Sequence, residues 1–146
     1  MQHCNLLIKY CAQNDILSHI ERILIIDYEY SALTSPAYDI ANHFCEYMAD
    51  YSSTNETPHI LDASKYPTID NQRTFLDAYL NYGGQILMHY SIDNLLDEIY
   101  YYTLCSHLLW GYWSIVQGCA SSIHFDYFNY GLQRFTLFDQ MYKCHF

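Results

Sequence analysis

Carboxylates and amides crowd one stretch of this chain, and their spacing is the first sign of chemistry. From Ile23 to Tyr51 it reads I-L-I-I-D-Y-E-Y-S-A-L-T-S-P-A-Y-D-I-A-N-H-F-C-E-Y-M-A-D-Y. Ile23, Leu24, Ile25 and Ile26 read as a buried strand that ends on Asp27, with Glu29 two residues further on. An acid at the exposed end of a buried strand can hold a metal ion or polarise a substrate. The same acid can also do no more than cap a turn. Asp39 is a good N-cap residue, so a helix is expected to begin near it. On that helix Asp39, Asn42, His43, Glu46 and Asp50 recur three or four apart and share one face. Ile40, Phe44, Cys45 and Met48 fall largely on the other side.

The elements that must position these residues are mostly helices. Asn5–Tyr10 reads as a short strand, residues 11–22 as a polar connection, and Ile23–Asp27 as a returning strand. An antiparallel pair of this kind puts Asn5 and Asp27 at the same end. Ser52–Pro67 is a loop, after which Thr68 or Asp70 can cap a helix carrying Phe75, Leu76, Tyr79 and Leu80, stopped by Gly83-Gly84. Ser91 caps the longest helix, expected to run to about Gln117 with Leu95, Ile99, Tyr102 and Leu109 among its apolar positions. Trp110 and Trp113 lie three apart on it, on neighbouring faces. Gly118–Ser122 is a break, and residues 129–142 form a last amphipathic helix with Leu132, Phe135, Phe138 and Tyr142. The expected fold is mainly α with a small β hairpin at the N-terminal edge.

Composition narrows the function classes. A chain of 146 residues makes about one domain and buries roughly 68–70% of its unfolded surface. Its 17 Tyr, 7 Phe and 2 Trp are rings that suit interfaces and pockets with one wet end, or simply a Tyr-rich core and surface. A net charge of −10 with only six Lys and Arg argues against nucleic acid as a partner, since that binding rests on neutralised phosphates. An acidic field favours a cationic ligand, or is only a solvated surface. The cysteines form no C-x-x-C pair and the histidines no zinc spacing. With no apparent signal peptide, reduced thiols and a cytoplasmic location are expected. No run approaches the length of a membrane span.

Several motifs carry a family resemblance. I-D-Y-E-Y-S at 26–31, Y-D-I-A-N-H-F-C-E-Y at 38–47, K-Y-P-T at 65–68, H-L-L-W-G-Y-W-S-I-V-Q at 107–117 and S-S-I-H-F-D-Y-F-N-Y-G-L-Q-R-F at 121–135 resemble the choline/ethanolamine kinase family, in order and over nearly the whole chain. The resemblance implies a protein-kinase-like fold, of which residues 1–146 are the C-terminal lobe. It implies transfer of the ATP γ-phosphate to the hydroxyl of choline or ethanolamine, with Mg²⁺ and ATP as cofactors of the intact enzyme and phosphatidylcholine or phosphatidylethanolamine downstream. Asp27 matches the acid that holds Mg²⁺ against the phosphates, and Asn5, in Q-H-C-N-L-L, matches the catalytic-loop asparagine that is its other ligand. Gln2 matches the loop glutamine near the substrate. Tyr30, Glu46, Tyr51, Trp110, Trp113, Phe125 and Tyr130 match positions lining the family's amine pocket, whereas His43 and Cys45 suit packing and hydrogen bonding.

The residue types agree with such a pocket. A quaternary ammonium donates no hydrogen bond, so ring faces and charge must hold it, at about 0.5–2 kcal/mol per ring. Two Trp one helical turn apart supply faces and Glu46 supplies counter-charge, although the same spacing also suits a core stripe. C-E-Y at 45–47 and W-S-I-V-Q at 113–117 look more like the choline branch than the ethanolamine branch. W-G-Y-W-S-I-V-Q argues against an antibiotic phosphotransferase of the same fold.

The departures from the family pattern shape a further expectation. In the family's H-N-D-x-Q-E-G-N loop the base aspartate would fall just before Met1, and the smaller, ATP-binding lobe has no counterpart in these residues. His3-Cys4 stands where Glu-Gly is usual, and a residue other than Gly strains a tight turn. The chain alone is therefore expected to lack kinase activity, as a fragment of a longer kinase or as an amine-binding module that pairs with itself or with a full-length kinase. Exposed apolar surface and poor solubility are expected with it.

Overall fold

The computed structural model describes residues 6–10, 20–50, 60–82 and 89–145. It divides into two compact units, one up to Thr34 and one from Ser35 onward.

The first unit is an antiparallel hairpin of β1 (Leu6–Tyr10) and β2 (Ile20–Ile25). Leu6 stands opposite Ile25 and Lys9 opposite Arg22, with a shift in register between Lys9 and Tyr10. The start of β1 and the end of β2 therefore meet at one end, as expected for the pair; Asn5 itself lies outside the described residues. Two expectations are corrected. The second strand begins at Ile20 and stops at Ile25, so Asp27 follows the strand rather than ending it. It is also not buried: Ile23, Leu24 and Ile25 are 54%, 52% and 38% exposed, because a two-stranded sheet covers little of itself. Beyond it Asp27 takes φ of 67°, a left-handed conformation that Asp tolerates better than most residues. Tyr28 donates from its hydroxyl back to Ile25 O at 2.8 Å, and Ser31 N closes the following turn on Tyr28 O at 2.9 Å.

The second unit is helical, with α1 (Pro36–Glu46), α2 (Ile69–Tyr82), α3 (Ile92–Ala120) and α4 (Tyr127–His145). Helix α1 starts three residues before Asp39. Ser35 is the N-cap, its Oγ accepting from Ala37 N at 3.3 Å, and Pro36 follows at the first helical position, where its missing N–H costs nothing. Asp39 sits in the first turn, where a negative charge suits the helix dipole. Of the two candidate caps for α2, Thr68 serves: its Oγ1 accepts from Asn71 N at 3.3 Å. Ser91 caps α3 as expected, accepting from Asn94 N at 3.2 Å, and the helix runs three residues past Gln117. Asp126 caps α4, accepting from Asn129 N at 3.1 Å, so that helix begins two residues before the expected position 129.

Ala37, Ile40, Ala41 and Phe44 of α1 meet Leu76 of α2 and Leu95 and Ile99 of α3 in a fully buried apolar core. Phe75, Tyr79, Leu80 and Tyr102 pack around it. Phe44 and Phe75 meet edge to face at 5.3 Å, a favoured geometry for aromatic rings. Further along α3 small residues let α4 approach. A Cβ on Gly131 would collide with Ser114 Oγ and lie 3.2 Å from the carbonyl oxygen of Gly111. Three expected apolar positions are exposed instead: Leu109, Leu132 and Tyr142. The buried line of α4 is Tyr127, Tyr130, Gly131 and Arg134, a stripe that a count of aliphatic residues does not pick out. Among the described residues no helix is long and apolar enough to cross a membrane.

Candidate functional site

The acid-bearing face of α1 is divided between two neighbours. On one edge His43 packs its ring on Phe75 at 5.4 Å and on Tyr47 at 5.3 Å, the packing role expected of it. On the other edge Asn42 and Glu46 turn to α3 and α4. Asp39 is exposed, and Asp50, expected on the same helix, lies beyond its end at Glu46. Residues that share a face by spacing thus reach different partners, because a face spanning about 100° can touch two helices at once.

Asn42 holds the aromatic part of α3 in place. Its Oδ1 accepts from Trp110 Nε1 at 2.7 Å and from Ser106 Oγ at 2.9 Å. Trp110 meets Trp113 edge to face at 5.3 Å, and Trp113 meets Tyr127 at 5.8 Å. Tyr127 packs on Phe125 at 4.9 Å, and Phe125 on Tyr130 at 5.8 Å. Phe125 comes from the short link between α3 and α4, so one chain of rings joins both helices. Trp110, Trp113, Phe125 and Tyr130, four of the residues expected to line one pocket, belong to it.

Glu46 reaches the same cluster through Arg134. Arg134 Nη2 lies 3.3 Å from Glu46 Oε1, the guanidinium side chain wholly buried and the carboxylate side chain 10% exposed. Arg134 Nε and Nη2 also donate to Tyr130 Oη at 2.9 and 2.7 Å. A buried charge must be paired and hydrogen-bonded to be tolerated, and Arg134 is both. His107, equally buried, has no hydrogen-bond partner for either ring nitrogen among the described residues. Burial, reinforced by the nearby Arg134 charge, pushes its imidazole down to about 3, so the ring is neutral at pH 7. Cys45 lies beside this group; burial pushes its thiol up and keeps it protonated, in line with a packing role.

Asp27 and Tyr30 are exposed in the first unit, and Gln2, Asn5 and Tyr51 lie outside the described residues. No group of three or more His, Cys, Asp or Glu that could hold a metal ion occurs among the described residues. Asn42, Ser106, Tyr127 and Arg134 were not among the expected site residues. The Tyr127–Tyr130–Arg134 recurrence at i, i+3 and i+7 was the available signal, since it puts two rings and a cation on one face. Two open clefts lie apart from the cluster. One of about 320 Å³ runs along α4 past Leu61 and Gln133; one of about 380 Å³ is walled by Phe44, Tyr66 and Phe75. Neither is lined by a residue of the cluster.

Comparison with known proteins shows the family. The Choline/ethanolamine kinase family profile matches residues 1–139. Probable choline kinase 2 of Arabidopsis thaliana is 49% identical over 113 residues, which are 77% of this chain and 32% of that protein. Ethanolamine kinase 1 of Mus musculus is 33% identical over 145 residues, covering 95% of this chain and 37% of that protein. A crystal structure of choline kinase from Cryptosporidium parvum superposes with a TM-score of 0.74 at 32% identity, covering 97% of this chain and 36% of that one. The chain spans about a third of the length of the curated relatives it matches.

Proposed function

We propose, for a chain that belongs to the choline/ethanolamine kinase family, that Trp110, Trp113, Phe125, Tyr130 and Glu46 form the amine head-group site of an ATP-dependent phosphotransferase. The observation that carries this reading is a nearly buried carboxylate, Glu46, joined by Arg134 to Tyr130 and through it to a chain of contacting aromatic rings. Ring faces attract a cation without asking it for hydrogen bonds, and the Glu46 carboxylate, partly offset by Arg134, adds counter-charge. Holding the head group fixes where the alcohol oxygen of choline lies, and positioning of that kind is most of what phosphoryl transfer asks of a protein. The assignment of Tyr30, Tyr51 and Gln2 to amine binding rests on the family resemblance alone.

On the nucleotide side Asp27 and Asn5 would hold Mg²⁺, as the family resemblance implies. The carboxylate of Asp27 and the side-chain oxygen of Asn5 are hard donors of the kind Mg²⁺ takes. Mg²⁺·ATP supplies the phosphoryl group; the chain's own share is to hold the metal and the amine. The product, phosphocholine, would serve phospholipid synthesis. Ethanolamine is the alternative substrate, supported by the likeness to a mouse ethanolamine kinase over 95% of the chain.

Titration calorimetry of choline into the 146-residue chain, with and without Mg²⁺ and ATP, tests the reading. Saturable binding is expected, and Trp113→Ala should weaken it by about three- to thirty-fold, the loss of one ring face. No binding by a folded chain, or equal binding by Trp113→Ala, returns the rings to a packing role.

A further inference from the structure

We infer that Gln133 is a positioning residue for the amine site: it ties α4, and with it Tyr130 and Arg134, to the end of α1 that carries Glu46. The inference rests on the amine-site reading above and concerns what holds the two helices at a fixed separation.

Helices α1 and α4 each pack on α3 and scarcely on one another among the described residues. The Glu46–Arg134 pair spans the space between them at 3.3 Å, longer than the roughly 2.7–2.9 Å usual for a charged pair. A small shift of either helix would open it. The segment from Leu61 to Tyr66 makes a second connection. Asp62 N donates to Met48 O at 2.8 Å, Leu61 pairs with Ala49, and Ala49 N donates to Glu46 O at 3.2 Å. The segment is thus held on the turn that follows Glu46. Its other end is held on α3, where Tyr66 Oη and Thr103 Oγ1 lie 2.9 Å apart. Leu61 N then donates to Gln133 Oε1 at 2.8 Å. Gln133 Nε2 donates to Asn129 O at 3.3 Å, which turns the amide oxygen towards the segment. Beside this bond the segment and α4 stand apart around the open cleft of about 320 Å³ lined by Leu61, Ala63 and Gln140, so packing does little to replace it.

Gln133 and Arg134 are consecutive, so their side chains leave α4 about 100° apart. Arg134 reaches the end of α1 directly, through Glu46, and Gln133 reaches it through Leu61. Two ties at different angles fix the rotation of α4 as well as its distance. A binding constellation needs both, held to about 0.5 Å and 10–20°. Gln133 acts through Leu61 and the α4 backbone rather than by touching the ligand.

Choline titrated into the 146-residue chain, together with amide hydrogen exchange at Leu61, tests the inference. Gln133→Leu removes the acceptor at similar size. The Leu61 amide should then exchange at least about five-fold faster, and choline should bind about three- to ten-fold more weakly, the scale of one hydrogen bond. Gln133→Glu keeps an acceptor oxygen and should bind choline within about two-fold of wild type. Gln140→Leu alters the same cleft about two turns along α4 and should leave the affinity unchanged. Circular dichroism checks that each variant folds, with Gln133→Ala in place of Gln133→Leu should the latter not fold. Faster exchange at Leu61 with unchanged choline affinity makes Gln133 merely structural and overturns the inference. An unchanged Leu61 amide, or an equal loss of affinity in Gln140→Leu, overturns it too. If the folded wild-type chain binds no choline, the amine-site reading itself fails and takes the inference with it.

Discussion

Leu95 and Ile99 in the first half of α3, and Ser106, His107, Gly111 and Ser114 in its second half, are all buried, yet they are buried against different things. The first pair meets Ala37, Ile40, Phe44 and Leu76 in an apolar core. The second group faces Asn42, Arg134, Gly131 and the rings of α4, and it carries hydroxyls, an imidazole or no side chain at all. Apolar burial stabilises in proportion to area and needs no particular partner. Polar burial costs free energy wherever a donor or acceptor is left unmatched, as both ring nitrogens of His107 are among the described residues. One helix therefore has a half that holds the fold together and a half that is kept for geometry at some expense in stability.

Removing single members from each half should break the comparison in different ways. Glu46→Leu leaves the Arg134 charge buried without its carboxylate and should cost about 3–5 kcal/mol, read as a lower urea midpoint with unchanged slope. Adding Arg134→Met should recover most of that loss; if the double variant is no more stable than Glu46→Leu, the pair is not what the polar half depends on. In the apolar half Leu76→Ala should cost about 2–5 kcal/mol through the cavity it leaves, with no second substitution available to restore it. Gly131→Ala should cost about 1–3 kcal/mol, because its Cβ meets Ser114 and the backbone of Gly111. A neutral effect on thermal unfolding would mean α4 can shift away from α3.

The contrast also has a pH signature. His107 takes up a proton at about 3 in the folded chain and near 6.5 when unfolded, so between those values the unfolded chain binds more protons and stability falls as pH falls. Above about 6.5 the ring is neutral in both states and contributes no slope. His107→Leu should flatten unfolding free energy against pH in that window while changing little at pH 7. An unchanged slope assigns acid sensitivity to other groups. The smallest effect is expected outside both halves. Arg73→Ala removes an exposed pair with Asp93 at 2.7 Å and should change stability by less than about 1 kcal/mol.

Several features were legible in the residues because their causes are local. Ser91 caps α3 through its own side chain, and Leu76, Leu95 and Ile99 recur at helical spacing, so each needs only its neighbours in sequence to be read. The start of α1 was missed although its signal is equally local: Ser35-Pro36 is a cap followed by a residue preorganised for the first turn. Asp39 drew attention instead as a good cap in its own right. Leu109, Leu132 and Tyr142 were misplaced because apolar character does not say which face a neighbour covers.

The sequence by itself determined the order of elements, the apolar core and the residues that match the family: periodicity and side-chain type act within one turn or one strand. Only the tertiary structure decided that Asn42 is the acceptor for Trp110, 68 residues away, and that Glu46 is held by Arg134, 88 residues away. A hydrogen bond between helices depends on where each helix lies and how it is rotated, and no spacing along one helix encodes that. Which acceptors of the cluster are engaged follows from such bonds, and they are set by the packing of α1 and α3 with α4.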